Sequence, residues 1–186
     1  MNLPNSLTLI RILLIPVFIL VFYLPYNWTH AAAAVIFAAG ALTDWLDGFL
    51  ARRLEQTSRF GAFLDPVADK LLVAVALVLL VQADPRAWLA ITAAIIIGRE
   101  IAVSALREFM AEIGQRSQVK VATVGKVKTL AQMIAIVLML YRLPIAELPT
   151  YEMGFVLLVV AAGLTLWSMF VYLRAAWPSL KPGVGE

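Results

Sequence analysis

Residues 44–69, DWLDGFLARRLEQTSRFGAFLDPVAD, hold four of the five aspartates in this chain of 186 residues. Long apolar segments precede and follow this stretch. Carboxylates beside such segments are costly to bury, and they usually mark ion or substrate sites. The stretch therefore predicts a functional site at the junction of two helices.

The overall composition is typical of a membrane protein. Hydrophobic residues make up 62% of the chain and charged residues only 15%, which is too apolar for a water-soluble domain of this length. The chain has no cysteine, so disulfides, thiolate metal sites and cysteine nucleophiles are excluded. We expect lipid to be the main solvent and the first apolar run to remain in the mature protein as a span.

Six apolar segments are long enough to cross the hydrocarbon core of a bilayer. Short connections with the turn formers Pro25, Asn27, Pro85, Pro144 and Pro149 separate several of them and leave no room for a soluble domain. We predict an all-α membrane protein with one integral-membrane catalytic domain, 1–186, and six transmembrane helices. The predicted spans are approximately 7–24, 31–50, 63–81, 87–110, 119–141 and 151–177.

The basic residues predict the orientation, because positively charged short loops remain in the cytoplasm. Lys and Arg concentrate between spans two and three, between spans four and five, and in the C-terminal tail. Both termini and the acidic stretch are therefore expected at the cytoplasmic face, with Tyr23, Tyr26, Trp28 and Trp88 in an aromatic belt on the far side. This topology and anionic lipid account for the net charge of +3, so no nucleic acid partner is expected.

The spacing of the aspartates predicts two facing pairs. Asp44 and Asp47 are three residues apart, on one helical stripe that continues through Gly48, Ala51 and Arg52. Asp65 and Asp69 are four residues apart on the next helix, and Pro66 suits a first helical turn. Since one helix descends to the cytoplasm and the next rises from it, both pairs are expected at one membrane depth.

Four converging carboxylates would repel one another strongly unless cations were present. Oxygen ligands without His or Cys favour hard ions such as Mg²⁺ or Mn²⁺. Two ions bridged by Asp44, Asp47, Asp65 and Asp69 would also clamp a phosphate undergoing displacement. The alternative is a set of interhelical salt bridges between these acids and the neighbouring basic residues Arg52, Arg53, Arg59 and Lys70.

The motif Asp44-x2-Asp47-Gly48-x2-Ala51-Arg52-x8-Gly61-x3-Asp65-x3-Asp69 resembles the signature of the CDP-alcohol phosphatidyltransferase family. Further segments extend the resemblance to the bacterial phosphatidylglycerophosphate synthase branch over nearly the whole chain. These segments are Asn2-Leu3-Pro4-Asn5, Leu7-Thr8-x2-Arg11, Gly98-Arg99-Glu100, Arg107-Glu108-Phe109 and Gly125-Lys126-Val127-Lys128-Thr129.

The resemblance implies transfer of the phosphatidyl group from CDP-diacylglycerol to sn-glycerol 3-phosphate, giving phosphatidylglycerophosphate and CMP. It implies that the four aspartates bind the metals and that Asp69 also deprotonates the acceptor hydroxyl. Gly48, Arg52 and Ser58 would contact the CDP group. The resemblance further implies the six-helix fold of the family, a homodimer, and a place in the bacterial cytoplasmic membrane.

Other residues are candidates for the nucleotide side. Asn5, Thr8 and Arg11 recur every three residues and form one polar edge, which would touch the CDP group or a carboxylate of the second helix, or else anchor the helix at the membrane interface. Gly48 and Gly61 remove side chains where a flat nucleotide would approach, although glycine in a span often serves helix packing instead.

An acceptor that carries its own phosphate needs a cationic pocket. The candidates are Arg99 and Arg107, eight residues apart on one helix face, together with Lys126 and Lys128. Taken singly, each is also explained as a basic residue reaching the membrane interface. Two rival functions remain open at this point: a transferase of the same family with inositol phosphate or phosphatidylglycerol as acceptor, and a divalent-cation transporter.

Overall fold

The computed structural model describes residues 3–54, 59–114, 123–144 and 147–180, with side chains at 8–43, 64, 67–114, 128–144, 147–174 and 177. The described residues form an all-helical bundle of six α-helices. The helices are α1 (Leu3–Tyr23), α2 (Thr29–Leu54), α3 (Arg59–Ala83), α4 (Ala87–Glu112), α5 (Thr123–Tyr141) and α6 (Thr150–Leu180). The expectation of six helices is thus confirmed over these ranges.

The helix bounds correct one detail of the sequence analysis. α3 begins at Arg59, so Pro66 lies at its eighth position and not in its first turn. Helical structure thus continues past the predicted ends of the apolar segments, because polar and charged residues such as Arg52 and Arg59 also favour or tolerate helix once they leave the hydrocarbon region. The predicted fifth segment includes residues 119–122, which lie outside the described residues.

Two helices of the described part are long and apolar enough to cross a membrane. They are Ala87–Glu112 and Thr150–Arg174, with mean hydropathies of 1.9 and 2.2. In the most apolar 18-residue segment of each helix, only 33% and 22% of the residues are buried inside the protein. The core helix of a soluble protein is, in contrast, mostly buried. Large apolar side chains such as Leu13, Leu20, Val35 and Val160 are likewise exposed on the outer surface, which agrees with lipid as the solvent.

The core receives apolar side chains from all six helices. α3 contacts α1, α2, α4 and α5, and α6 packs against α4 and α5. Phe18 of α1 meets Phe37 of α2 with ring centroids 6.3 Å apart, and both rings are fully buried. The central position of α3 places its N-terminal half, which carries Asp65 and Asp69, within reach of several helices.

Two glycines permit close helix contacts. A Cβ atom on Gly40 of α2 would lie 2.6 Å from Cδ2 of Leu72 on α3, which is fully buried. A Cβ atom on Gly154 of α6 would lie 2.8 Å from the carbonyl oxygen of Ala135 on α5. The Gly154 contact is with backbone, so α5 and α6 approach more closely there than a larger residue would allow, whereas the Gly40 contact is with the end of the Leu72 side chain.

A polar cluster ties the turn between α3 and α4 to the start of α6. The Arg86 Nε donates to Asp84 Oδ2 at 2.7 Å, and the Tyr151 hydroxyl donates to the same oxygen at 2.6 Å. The Arg86 guanidinium also lies 4.6 Å from the ring centroid of Phe155 and 3.3 Å from Glu152 Oε2. Burial alone would raise the pKa of the Asp84 carboxyl, but these hydrogen bonds from Tyr151 and Arg86 outweigh it and lower that pKa.

Exposed aromatic side chains surround the same end of the bundle. Tyr23, Tyr26, Trp28 and Trp88 are all more than half exposed, and Tyr26 stacks on Trp28 with ring centroids 6.1 Å apart. Their position at helix ends agrees with the predicted aromatic belt, at the end opposite the junction of α2 and α3.

Candidate active site

The four predicted metal ligands lie on two neighbouring helices that contact each other. Asp44 and Asp47 belong to α2, and Asp65 and Asp69 belong to α3. The side chain of Asp69 is described and is half-buried, whereas those of Asp44, Asp47 and Asp65 lie outside the described side chains. Within the described part, accordingly, no group of three or more His, Cys, Asp or Glu residues gathers to hold a metal.

The backbone register of α2 and α3 bears on this prediction. The two helices are consecutive, joined by residues 55–58, and touch where Gly40 faces Leu72. Both helices rise by the same length per residue. Asp47 is seven residues beyond Gly40 on α2, and Asp65 is seven residues before Leu72 on α3, so Asp47 and Asp65 lie at the same level. The same count brings Thr43, the neighbour of Asp44, level with Asp69.

A cavity of about 160 Å³ lies beside Asp69, lined by residues of α3, α4, α5 and α6. It brings together four residues predicted from sequence, since Asp69 shares its wall with Arg99, Arg107 and Lys128. Lys70 and Glu100 also line it, so the cavity has four cationic and two acidic side chains. Its polar lining is completed by Ser104, Thr129, Gln132 and Tyr172. This excess of positive charge suits an anionic ligand.

Arg99 and Lys128 are the buried cations of the cavity, with 8% and 4% of their surface exposed. The Lys128 Nζ donates to Ser168 Oγ at 2.9 Å, and Arg99 Nη2 donates to the same oxygen at 3.4 Å. Arg99 Nη1 pairs with Glu100 Oε1. Arg99 Nε is buried and has no hydrogen-bond partner among the described residues. The guanidinium can therefore donate one more hydrogen bond, to a ligand.

The remaining cations lie at other parts of the same cavity. Lys70, next to Asp69 on α3, donates a hydrogen bond to Ser104 of α4. Arg107 lies two turns along α4 from Arg99 and is exposed. Lys126 belongs to α5, but its side chain lies outside the described ones. The cavity therefore contains three of the four cations predicted for the acceptor pocket, and the role of all four in binding the acceptor stays a prediction.

Two of the three residues on the polar edge of α1 face the interior of the bundle. Thr8 and Arg11 are fully buried, which disfavours anchoring at the membrane interface. The Cγ atom of Arg11 lies 3.9 Å from the position of a Cβ on Gly40. Because Asp44 follows Gly40 by one helical turn, Arg11 lies close to the acidic end of α2.

For the other candidates for nucleotide binding, the structure gives the position on a helix without the side chain, or does not describe the residue. Asn5 belongs to α1, Gly48 and Arg52 belong to α2, and Gly61 belongs to α3, all outside the described side chains. Ser58 lies outside the described residues altogether. Their contact with the CDP group stays a prediction.

The structure adds polar and charged side chains that the sequence analysis did not assign to the acceptor pocket. Those that line the cavity are Lys70, Glu100, Ser104, Thr129, Gln132 and Tyr172. Ser168 lies outside this lining as a partner of Lys128 and Arg99. The neighbouring sequence could have indicated two of them, because Lys70 follows Asp69 and Glu100 follows Arg99. Nothing in the local sequence indicates Ser104 or Ser168. Ser168 is forty residues from Lys128 in sequence, and only the packing of α6 brings the two together.

An apolar helical bundle with four aspartates on two contacting helices and a cationic cavity beside Asp69 indicates a membrane protein with a site for an anionic ligand. The family model described as CDP-alcohol phosphatidyltransferase matches residues 1–167, and the chain belongs to this family of enzymes. Members of the family generally depend on divalent cations.

Close relatives carry a more specific name. A protein of Pseudomonas fluorescens called CDP-diacylglycerol–glycerol-3-phosphate 3-phosphatidyltransferase is 61% identical over 182 residues, covering 97% of this chain and 93% of the relative. Proteins with the same name in Yersinia pestis (strain Pestoides F) and Shigella flexneri serotype 5b are each 56% identical. The first match covers 97% of both chains and the second 94% of both.

Proposed function

We propose that this protein transfers the phosphatidyl group from CDP-diacylglycerol to sn-glycerol 3-phosphate, releasing phosphatidylglycerophosphate and CMP in anionic phospholipid synthesis. The observation that carries the proposal is the cavity that joins Asp69 to the buried cations Arg99 and Lys128. It offers one proton acceptor beside a site for a phosphate. The names of relatives that are 56–61% identical over nearly their whole length support the same reaction.

The names of the relatives favour glycerol 3-phosphate over phosphatidylglycerol and inositol phosphate, because relatives that are 56–61% identical are named for transfer to glycerol 3-phosphate. The cationic lining of the cavity suits an acceptor that carries its own phosphate. The cation transporter is not retained, because the chain belongs to a family of transferases.

In the proposed reaction, the cations of the cavity hold the phosphate of the acceptor. Arg99 suits two-point contact with phosphate oxygens, and Lys128 acts as a point charge. Asp69 takes the proton from the acceptor hydroxyl. The hydroxyl oxygen then forms a bond to the β-phosphorus of CDP-diacylglycerol, and the bond from that phosphorus to CMP breaks. CMP leaves with the bonding electrons.

Asp44, Asp47, Asp65 and Asp69 fit a site for two hard cations, Mg²⁺ or Mn²⁺. The fit rests on the carboxylate donor set and on the register that brings Asp47 level with Asp65. When bound, such ions would neutralise charge on the transferred phosphate and on the leaving CMP. Asp69 then belongs to both the metal site and the acceptor cavity.

The nucleotide lies on the opposite side of Asp69 in this proposal, against α1 and α2. Arg11 and Thr8 line the interior there, one turn from Asp44. Together with Asn5, Gly48, Arg52, Ser58 and Gly61 they form the proposed contact surface for the CDP group. Buried guanidinium groups suit pyrophosphate oxygens.

We further propose that the six helices span the bacterial cytoplasmic membrane, with both termini and the site at the cytoplasmic face, and that the protein works as a homodimer. The apolar outer surface supports the membrane spans, and the basic loops support the orientation. A cytoplasmic site has access to both water-soluble glycerol 3-phosphate and a lipid substrate.

The acceptor assay tests the proposal directly. Purified protein in detergent–lipid micelles receives CDP-diacylglycerol, Mg²⁺ and one of three radiolabelled acceptors: sn-glycerol 3-phosphate, inositol phosphate or phosphatidylglycerol. We expect a radiolabelled phosphatidylglycerophosphate product, with equimolar CMP, from glycerol 3-phosphate alone. Product from either other acceptor at a higher rate would overturn the choice of acceptor. Loss of product on chelation with EDTA, restored by Mg²⁺, tests the metal requirement separately.

A further inference from the structure

The two buried cations of the cavity meet at one neutral side chain, Ser168 of α6. Lys128 Nζ donates to Ser168 Oγ at 2.9 Å, and Arg99 Nη2 donates to it at 3.4 Å. Since both nitrogens reach the same oxygen, they lie within two hydrogen-bond lengths of each other. Two like charges are thus held together although they repel.

The hydroxyl hydrogen of Ser168 has another partner. Ser168 Oγ donates to the carbonyl oxygen of Thr165, one turn earlier on α6, at 2.9 Å. This bond fixes the rotamer of Ser168 and leaves the oxygen lone pairs for the two cations. The described lining of the cavity includes Arg99 and Lys128 but not Ser168, so the hydroxyl supports the cations from outside the cavity wall.

A neutral hydrogen-bond acceptor such as the Ser168 hydroxyl is well suited to this position. Lysine has a flexible four-carbon stem, and repulsion from Arg99 would drive its ammonium group away from the cavity wall. A carboxylate in place of Ser168 would hold both cations more strongly, but its charge would compete with an incoming phosphate. The hydroxyl holds the pair and leaves the positive charge available to an anion.

We propose that Ser168 is a positioning residue for the phosphate of the acceptor, acting through Lys128 and Arg99. The inference rests on the proposed function of the cavity as the glycerol 3-phosphate site. It gives α6 a positioning role in that site, since α6 then sets the separation of cations on α4 and α5.

The test compares Ser168→Ala with Ser168→Thr, which keeps a hydroxyl able to bond to the preceding turn. We expect Ser168→Ala to raise the KM for glycerol 3-phosphate about tenfold, as for the loss of one hydrogen bond to a charged group. Its kcat and its KM for CDP-diacylglycerol should stay within about threefold. Ser168→Thr should restore most of the acceptor affinity. Leu166→Ala, at an exposed position on the same helix, is the control and should match the unsubstituted protein.

Arg99→Gln separates failure of this inference from failure of the proposed function. If Arg99→Gln raises the KM for glycerol 3-phosphate and Ser168→Ala does not, the role of Ser168 is refuted and the pocket stands. If neither variant changes that KM, the acceptor site lies elsewhere and both proposals fall. If Ser168→Ala and Ser168→Thr lower kcat and raise both KM values alike, Ser168 has a general structural role and the inference is overturned.

Discussion

Replacing Lys128 by methionine removes one charge from the acceptor cavity and keeps a side chain of similar length. Lys128 is 4% exposed and lies beside Arg99 through their common partner Ser168. Two unit charges about 4 Å apart interact by roughly 4 kcal/mol at an effective dielectric constant near 20. Part of this energy offsets the dehydration of the phosphate and the weakened bond to Ser168. We expect about 2–3 kcal/mol to remain, which corresponds to a roughly 30- to 160-fold rise in the KM for glycerol 3-phosphate.

The same substitution should not destabilise the folded protein. A buried ammonium group close to a guanidinium group has a desolvation cost and a repulsion that methionine lacks. The melting temperature of Lys128→Met should therefore equal or exceed that of the unsubstituted protein. Weaker acceptor binding combined with unchanged or higher stability is the pattern expected of a residue kept for function.

Initial rates with radiolabelled glycerol 3-phosphate in mixed micelles give the KM for each substrate, and tryptophan fluorescence on heating gives the melting temperature. Arg174→Met is the matched control, because it also removes a positive charge but from an exposed position on α6 outside the described lining of the cavity. It should change the KM by less than about twofold. A KM unchanged in Lys128→Met, or one that rises together with a loss of stability, would refute this account of the cavity.

Three further predictions concern other parts of the molecule. Asp69→Asn should lower the transfer rate by at least about a hundredfold. CDP-diacylglycerol should still bind, as measured by equilibrium binding of the radiolabelled lipid. An unchanged rate would remove Asp69 from the role of base. The lowered pKa of Asp84 means that its charged form stabilises the fold above its ordinary pKa of 3.8 and that this contribution disappears as the pH falls through the lower folded value. Asp84→Asn should therefore lower the melting temperature at pH 7, and the difference should shrink below about pH 4; a difference that is independent of pH would contradict the assignment. Gly154→Ala should destabilise the protein by about 1–3 kcal/mol, because its Cβ would meet the Ala135 carbonyl. Gly163→Ala on the same helix is the control and should not destabilise it, because a Cβ there meets nothing within 4 Å. Equal melting temperatures for the two variants would show that α5 and α6 separate freely.

The sequence by itself predicted the helices and the family. The apolar segments predicted all six helices found over the described residues, because lipid-exposed backbone must satisfy its hydrogen bonds within a helix. The spacing of the aspartates placed them on two consecutive helices, and their motif resembled the family that the chain belongs to. These features depend on local sequence, so one chain is enough to predict them.

The tertiary structure alone decided which cations share a cavity with Asp69 and what supports them. Helices in lipid are apolar on both their inner and their outer faces, and large apolar side chains are exposed on the outer surface of this bundle. Hydrophobic periodicity therefore indicates a helix without indicating which face turns inward. The close contact at Gly154 lies between α5 and α6, and the packing of α6 against α4 and α5 brings Arg99 and Lys128 to Ser168.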